Sequence, residues 1–125
     1  MPHRSSIATA ELARLLNALA HRHRILILEE LRGGERDVSS LQQLLGASAS
    51  SVSQHLKLLR AHRLVSERRE GRHVYYALVD MELATWLAEG LRFVESEMAD
   101  TSQIHDAVEH VRQVWLDDAG DPSRG

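Results

Sequence analysis

The spacing of apolar residues changes once along this chain, and that change restricts the fold more than any other feature. Up to residue 61, apolar positions recur three and four apart, as on one face of a helix. Between Leu64 and Leu78 they alternate, so that Val74, Tyr76 and Leu78 interleave with His73, Tyr75 and Ala77. Alternation is the period of a strand, and Glu70-Gly71 marks a tight turn between two such runs. From Asp80 onward the helical spacing returns. A two-stranded hairpin is marginal alone in water and must lie on helices. The expected fold is therefore mainly α with a two-stranded β-wing.

Around this hairpin the helices can be placed. Leu12, Leu15, Leu16 and Leu19 predict a helix over 9–20, with 1–8 left as a flexible arm. Ile25, Leu28 and Leu31 predict a second over 22–32, stopped by Gly33-Gly34. Ser39-x-x-Gln42 has the form of a capping box and opens a short third helix that ends at Gly46. A fourth follows over 49–61, with Val52, Leu56 and Leu59 on one face. Asp80 is a suitable N-cap for a helix over 80–99, whose stripe is Leu83, Leu87, Leu91, Val94 and Met98, with Trp86 beside it. After a break at Asp100-Thr101-Ser102, the residues Ile104, Val108, Val111 and Trp115 define a last helix. The expected organisation is a flexible arm (1–8), a helical domain that carries the β-wing (9–99), a C-terminal helix (100–118) and a disordered tail (119–125).

Composition narrows the function. The chain has no cysteine, which removes disulfides, thiolate metal sites and thiol chemistry. No apolar run reaches the ~20 residues that span a bilayer, and the first residues lack a signal-peptide stretch, so a cytoplasmic protein is expected. There is no nucleophile beside a base, no glycine-rich phosphate loop and no paired catalytic carboxylates, so no enzyme is expected. Residues 1–79 hold 12 Lys/Arg against 7 Asp/Glu, whereas 80–125 hold 3 Arg against 11 Asp/Glu. A basic region inside an acidic chain suits directed binding of a polyanion.

The two short helices joined by Gly46-Ala47-Ser48 have the layout of a helix-turn-helix. A groove-reading helix needs a buried face and an opposite face of short donors and long cations. Ser50, Ser51, Ser53, Gln54, His55, Lys57 and Arg60 supply the second face. Arg68, Arg69 and Arg72 lie at the hairpin tip, at a reach suited to phosphate or the minor groove. The competing reading is a solvated polar helix and a charged turn in a module that binds protein and not DNA.

Residues 19–28, from Leu19 through His21-Arg22-His23-Arg24 to Leu28, resemble the second-helix entry of the ArsR/SmtB family of bacterial repressors. Ser50-Ser51-Val52-Ser53-Gln54-His55-Leu56-Lys57 is similar to that family's recognition helix, and Leu64-Val65, Arg68-Arg69-Glu70-Gly71-Arg72 and Tyr75-Tyr76-Ala77-Leu78 to its wing. The resemblance runs over about residues 9–99. It implies a homodimer that binds a palindromic operator as a transcriptional repressor, released by a metal ion or another inducer. A regulator of this fold without metal sensing is the alternative. One departure stands before the wing, where the family has Ala-Gly and this chain has His62-Arg63. Arg63 must either adopt a left-handed conformation at a cost of ~1 kcal/mol or end the helix in another way.

Without cysteine, the family's thiolate site is impossible. At its post-wing site the aligned positions are Asp80, Glu82, Phe93 and Ser96, of which Phe93 and Ser96 cannot ligate. The remaining dense set of N and O donors is His105, Asp106, Glu109 and His110 on the last helix, which His3 of the arm can join. Imidazole with carboxylate suits Ni²⁺ or Zn²⁺. The plainer reading is a wet helix face opposite the apolar one. His21 and His23 are expected to serve as a helix cap or surface feature.

Overall fold

The computed structural model describes residues 4–97 and 102–120. Six helices and three short strands follow in the order α1 (Arg4–Leu19), α2 (Arg22–Leu31), β1 (Arg36–Asp37), α3 (Val38–Leu45), α4 (Ala49–Ala61), β2 (Val65–Glu70), β3 (His73–Leu78), α5 (Glu82–Glu97) and α6 (Ser102–Gly120). The order is that of a winged helix-turn-helix, mainly helical as expected. The stretch 4–8, expected as a mobile arm, is helical and opens α1. Residues 119 and 120, expected in the disordered tail, continue α6. His3, Met98, the break at 100–101 and the rest of the tail, from 121, lie outside the described residues, as do the side chains of Ile104, Asp117 and Asp118.

The core sits where α2, α3 and α4 meet. Ile27, Leu28, Leu31, Leu41, Val52, Leu56, Leu59 and Val65 are buried there, with Leu64, Tyr76, Leu78, Leu83 and Leu87 packed against them. Val52, Leu56 and Leu59 are the apolar face read from the sequence, and all three are fully enclosed. Removing one such leucine side chain would cost about 2–5 kcal/mol.

The wing has a third strand that the sequence did not reveal. β1 pairs antiparallel with β3, Arg36 opposite Tyr76 and Asp37 opposite Tyr75, so β3 lies in the centre of the sheet. Two residues are too short to show any alternation. β2 and β3 pair from Val65 opposite Leu78 out to Glu70 opposite His73, so the turn is Gly71-Arg72, one residue beyond the expected position. Gly71 takes a φ of 61°, which matches the glycine-first two-residue turns that fit strand twist. Asp37 ends β1 and at once caps α3: its Oδ1 accepts from the Ser40 N–H at 2.9 Å. The cap is thus Asp37 and not the expected Ser39, and hydrogen bonding from Ser40, side chain and backbone, holds the Asp37 carboxyl below the usual range.

Two residues after α4 the chain turns at Arg63, the one non-glycine residue with positive φ (60°) among those described. The Leu64 N–H donates to the Leu59 carbonyl at 3.0 Å and the Arg63 N–H to the Arg60 carbonyl at 2.9 Å. This bond pair is a Schellman motif with arginine in the position glycine favours. Of the two outcomes open for Arg63, the chain takes the strained one.

Asp80 Oδ1 accepts from the Glu82 N–H at 2.9 Å and opens α5, as expected. α6 packs on α5 and is fastened to the end of α2 by Arg32. That guanidinium is buried, donates to the carbonyls of Val114 (3.1 Å) and Trp115 (2.9 Å), and lies 5.2 Å from the Trp115 ring centre. Glu29 is half-buried close by, and burial pushes its carboxyl above the usual range.

Candidate nucleic-acid interface

α4 begins at Ser48, whose Oγ accepts from the Ser51 N–H at 3.1 Å. Gly46 closes α3 in the left-handed conformation, φ 61°, which lets the chain turn within three residues. With Val52, Leu56 and Leu59 fixed inward, helical geometry sends Ser50, Ser53, Gln54 and Lys57 outward as one exposed stripe. Ser51 and His55 lie on the flank and are half-buried. The stripe offers hydroxyl and carboxamide groups for base edges and one cation for phosphate, the composition a major groove requires.

Not all the cations expected to meet DNA are free. Arg60 donates to Glu67 Oε2 at 3.0 Å. Glu67 is half-buried and also accepts from the Tyr76 hydroxyl at 3.0 Å, with Arg69 Nε 3.5 Å from its other oxygen. Burial, then Glu67, raises the Tyr76 hydroxyl above its ordinary value. Glu67 thereby joins the end of the helix to both strands of the wing. Arg68 is more committed still. It makes a two-toothed contact with Glu35 at 2.9 and 3.0 Å, pairs with Glu70 at 2.6 Å and lies 4.7 Å from the Tyr75 ring centre. That pairing holds the Glu35 carboxyl below the usual range. Lys57 and Arg72 are exposed and have no ion pair among the described residues. Arg69 is three-quarters exposed despite its contact with Glu67.

His55 faces α2. Its ring centre is 4.3 Å from that of His21 and 5.7 Å from that of His23. Burial, followed by His21, Arg24 and His23, lowers its pKa below the usual imidazole value. His21 is the N-cap of α2, its Nδ1 accepting from the His23 N–H at 3.0 Å, as the sequence suggested. The meeting of both with His55 was not foreseen, because residues over thirty positions apart are brought together only by the packing of α2 on α4.

The donors expected to hold a metal on α6 do not converge within one protomer. His105 Nδ1 lies 2.6 Å from Glu95 Oε1 on α5, and Glu109 is held by Arg112 at 2.6 Å. Asp106 and His110 are exposed. The missed residues are Glu35, Glu67 and Glu95, each an acid that read as ordinary surface charge.

Residues 21–67 match the family of bacterial regulatory proteins described as the arsR family. The HTH-type transcriptional regulator NmtR of Mycobacterium tuberculosis is 40% identical over 69% of this chain and 72% of its own length. The nodulation protein NolR of Rhizobium meliloti is 45% identical, over 52% of this chain and about half (53%) of NolR. The solution structure of a homodimeric winged helix-turn-helix DNA-binding domain from Mycobacterium bovis superposes with a TM-score of 0.66 at 31% identity, covering 78% of this chain and 90% of that one.

Proposed function

The chain belongs to the ArsR family of bacterial regulatory proteins, and from that premise we propose that it is a homodimeric, sequence-specific DNA-binding repressor of transcription. The observation that carries this reading is the exposed stripe Ser50, Ser53, Gln54 and Lys57, set rigidly opposite the buried face of α4 and flanked by the wing. In this reading Gln54, Ser50, Ser51 and Ser53 address base edges. Lys57, Arg69 and Arg72 hold phosphates, while Arg60 and Arg68 position the wing through Glu67, Glu35 and Glu70. Arg63, exposed at the end of the helix, adds a further cation beside them.

A second copy completes the molecule. Leu16, Ile25, Trp86 and Val94 are exposed around an apolar cleft of about 510 Å³ between α1, α2 and α5. Two-fold pairing over this cleft would place two copies of α4 on half-sites one DNA turn apart, about 34–36 Å. An exposed apolar face of this kind marks an association surface. No helix among the described residues is long and apolar enough to cross a membrane.

Gel-shift titration on DNA upstream of the gene, against random DNA of equal length, tests the reading. A specific complex whose affinity falls steeply with salt is the expected result. Equal binding to both DNAs, or none, would favour the protein-interaction alternative. For an inducer, Ni²⁺ or Zn²⁺ on His105, Asp106, Glu109 and His110, with His3, is the narrower reading. It requires the ion to displace Arg112 from Glu109 and Glu95 from His105, and calorimetry on a His105→Ala, His110→Ala double variant tests it.

A further inference from the structure

We propose that His21, His23 and His55 form a binding site for a late first-row divalent cation, Zn²⁺ foremost, that bridges the N-terminus of α2 and the flank of the recognition helix. One nitrogen from each ring lies within 4.8 Å of the other two. The three ring centres are 4.3, 5.4 and 5.7 Å apart. Three imidazoles with no carboxylate match borderline cations such as Zn²⁺, Co²⁺ and Ni²⁺, and leave a fourth position for water. Metal–nitrogen bonds of about 2.0–2.1 Å require the nitrogens to close to about 3.4 Å. His21 is exposed and the other two are half-buried, so the His21 ring turns toward an ion most readily, and His23 and His55 must also draw together to complete the site.

The choice of cap adds a second argument. Ser, Thr, Asp and Asn cap helices best, and a histidine is not among the preferred residues. Here the cap is a histidine, and it accepts from the N–H of a second histidine of the cluster. A neutral ring that accepts at Nδ1 carries its proton on Nε2. An ion can therefore bind His21 only by taking Nδ1 itself or by moving the proton to Nδ1. In either case the bond to the His23 N–H is lost, so metal binding exchanges a cap for a coordinate bond. Arg24, whose charge is felt at His55, opposes any added positive charge, which limits the site to an ion that gains strong bonds in return.

The site is separate from the one expected on α6, and it involves His55, the neighbour of Gln54. This last consequence rests on α4 being the DNA-reading helix: an ion here restrains that helix against α2 and changes its affinity for DNA.

The experiment uses the full chain, with Zn²⁺ calorimetry and the d–d absorption of bound Co²⁺ as independent readouts. His21→Asn retains a good cap while deleting the ligand, so it separates folding from metal binding. His21→Asn and His23→Gln are each expected to weaken Zn²⁺ by more than about tenfold, the loss known even for outer-shell partners, and to abolish the Co²⁺ band. His62→Gln, at a histidine outside both donor sets, is expected to leave both unchanged. Unaltered Zn²⁺ affinity in His21→Asn and His23→Gln, or loss of the ion only in the His105→Ala, His110→Ala double variant, would overturn the site. Zn²⁺ that binds at the triad without moving operator affinity would overturn the coupling alone. Absence of any DNA complex, with metal binding intact, would count against the repressor reading and not against the site.

Discussion

At Arg63 the chain holds a side chain in a conformation that glycine adopts freely. The left-handed position costs about 1–2 kcal/mol for a residue with a Cβ. Glycine would recover that strain and lose about 0.4–1 kcal/mol through its greater freedom when unfolded. Arg63→Gly is therefore expected to raise stability by about 0.5–1 kcal/mol, measured as a higher midpoint in urea at unchanged slope. If the arginine also meets phosphate, the same variant should bind DNA less tightly while folding more stably, and a fall in both quantities would contradict this account. The departure was visible in the sequence because a glycine was expected there. The strain itself was not, since whether the chain would turn at that residue or beyond it depended on where the carbonyls of Leu59 and Arg60 found donors.

Among the elements, α4 and the wing divide the work of binding. Gln54→Ala should relax sequence preference at a cost of about 1–3 kcal/mol on the preferred operator. Lys57→Ala and Arg72→Ala should weaken all DNAs alike and each flatten the salt slope by about one. Arg68→Ala should change that slope less, because Glu35 and Glu70 already neutralise the guanidinium. A full unit lost with Arg68, in a wing shown intact by hydrogen exchange, would reverse this assignment. The Glu35–Arg68 link also gives the wing an acid sensitivity. The Glu35 carboxyl is held below its ordinary value by Arg68. Its contribution is present above the ordinary carboxylate range and disappears as pH falls through the lowered value. Thermal unfolding followed from neutral to acid pH should lose less stability in Glu35→Gln than in the parent, and parallel curves would refute the link. Helices were legible because burial follows a period, and Val52, Leu56 and Leu59 announced the face that carries the DNA stripe. Ion pairs follow no period. Nothing in the sequence tied Arg68 to Glu35, and β1 is too short to leave a pattern.

For the molecule as a whole, exposed Leu12, Leu16, Trp86 and Val94 mean that one copy leaves apolar surface in water. Leu16→Glu combined with Trp86→Glu is expected to yield a folded monomer by light scattering at micromolar concentration, with operator affinity lost and helical content retained. A dimer that survives both changes would place the interface elsewhere. The apolar positions of α1 and α5 were legible, but not which of them the fold leaves uncovered, since Leu83 and Leu87 pack on the core while Trp86 and Val94 do not. The attachment of α6 through Arg32 could not be read either, since a buried arginine looks the same in sequence as an exposed one. The joint at Asp37 has a bearing on how such a chain can vary in length. The same residue pairs with Tyr75 in the sheet and caps α3. One extra residue there would turn the strand's faces over and remove the cap together. An extra residue at Gly71-Arg72 would only extend a tip that stands in solvent. Insertions and deletions in descendants of this chain should therefore collect at the wing tip, while the passage from sheet to helix keeps its length, and the distance between wing and groove-reading helix is inherited intact.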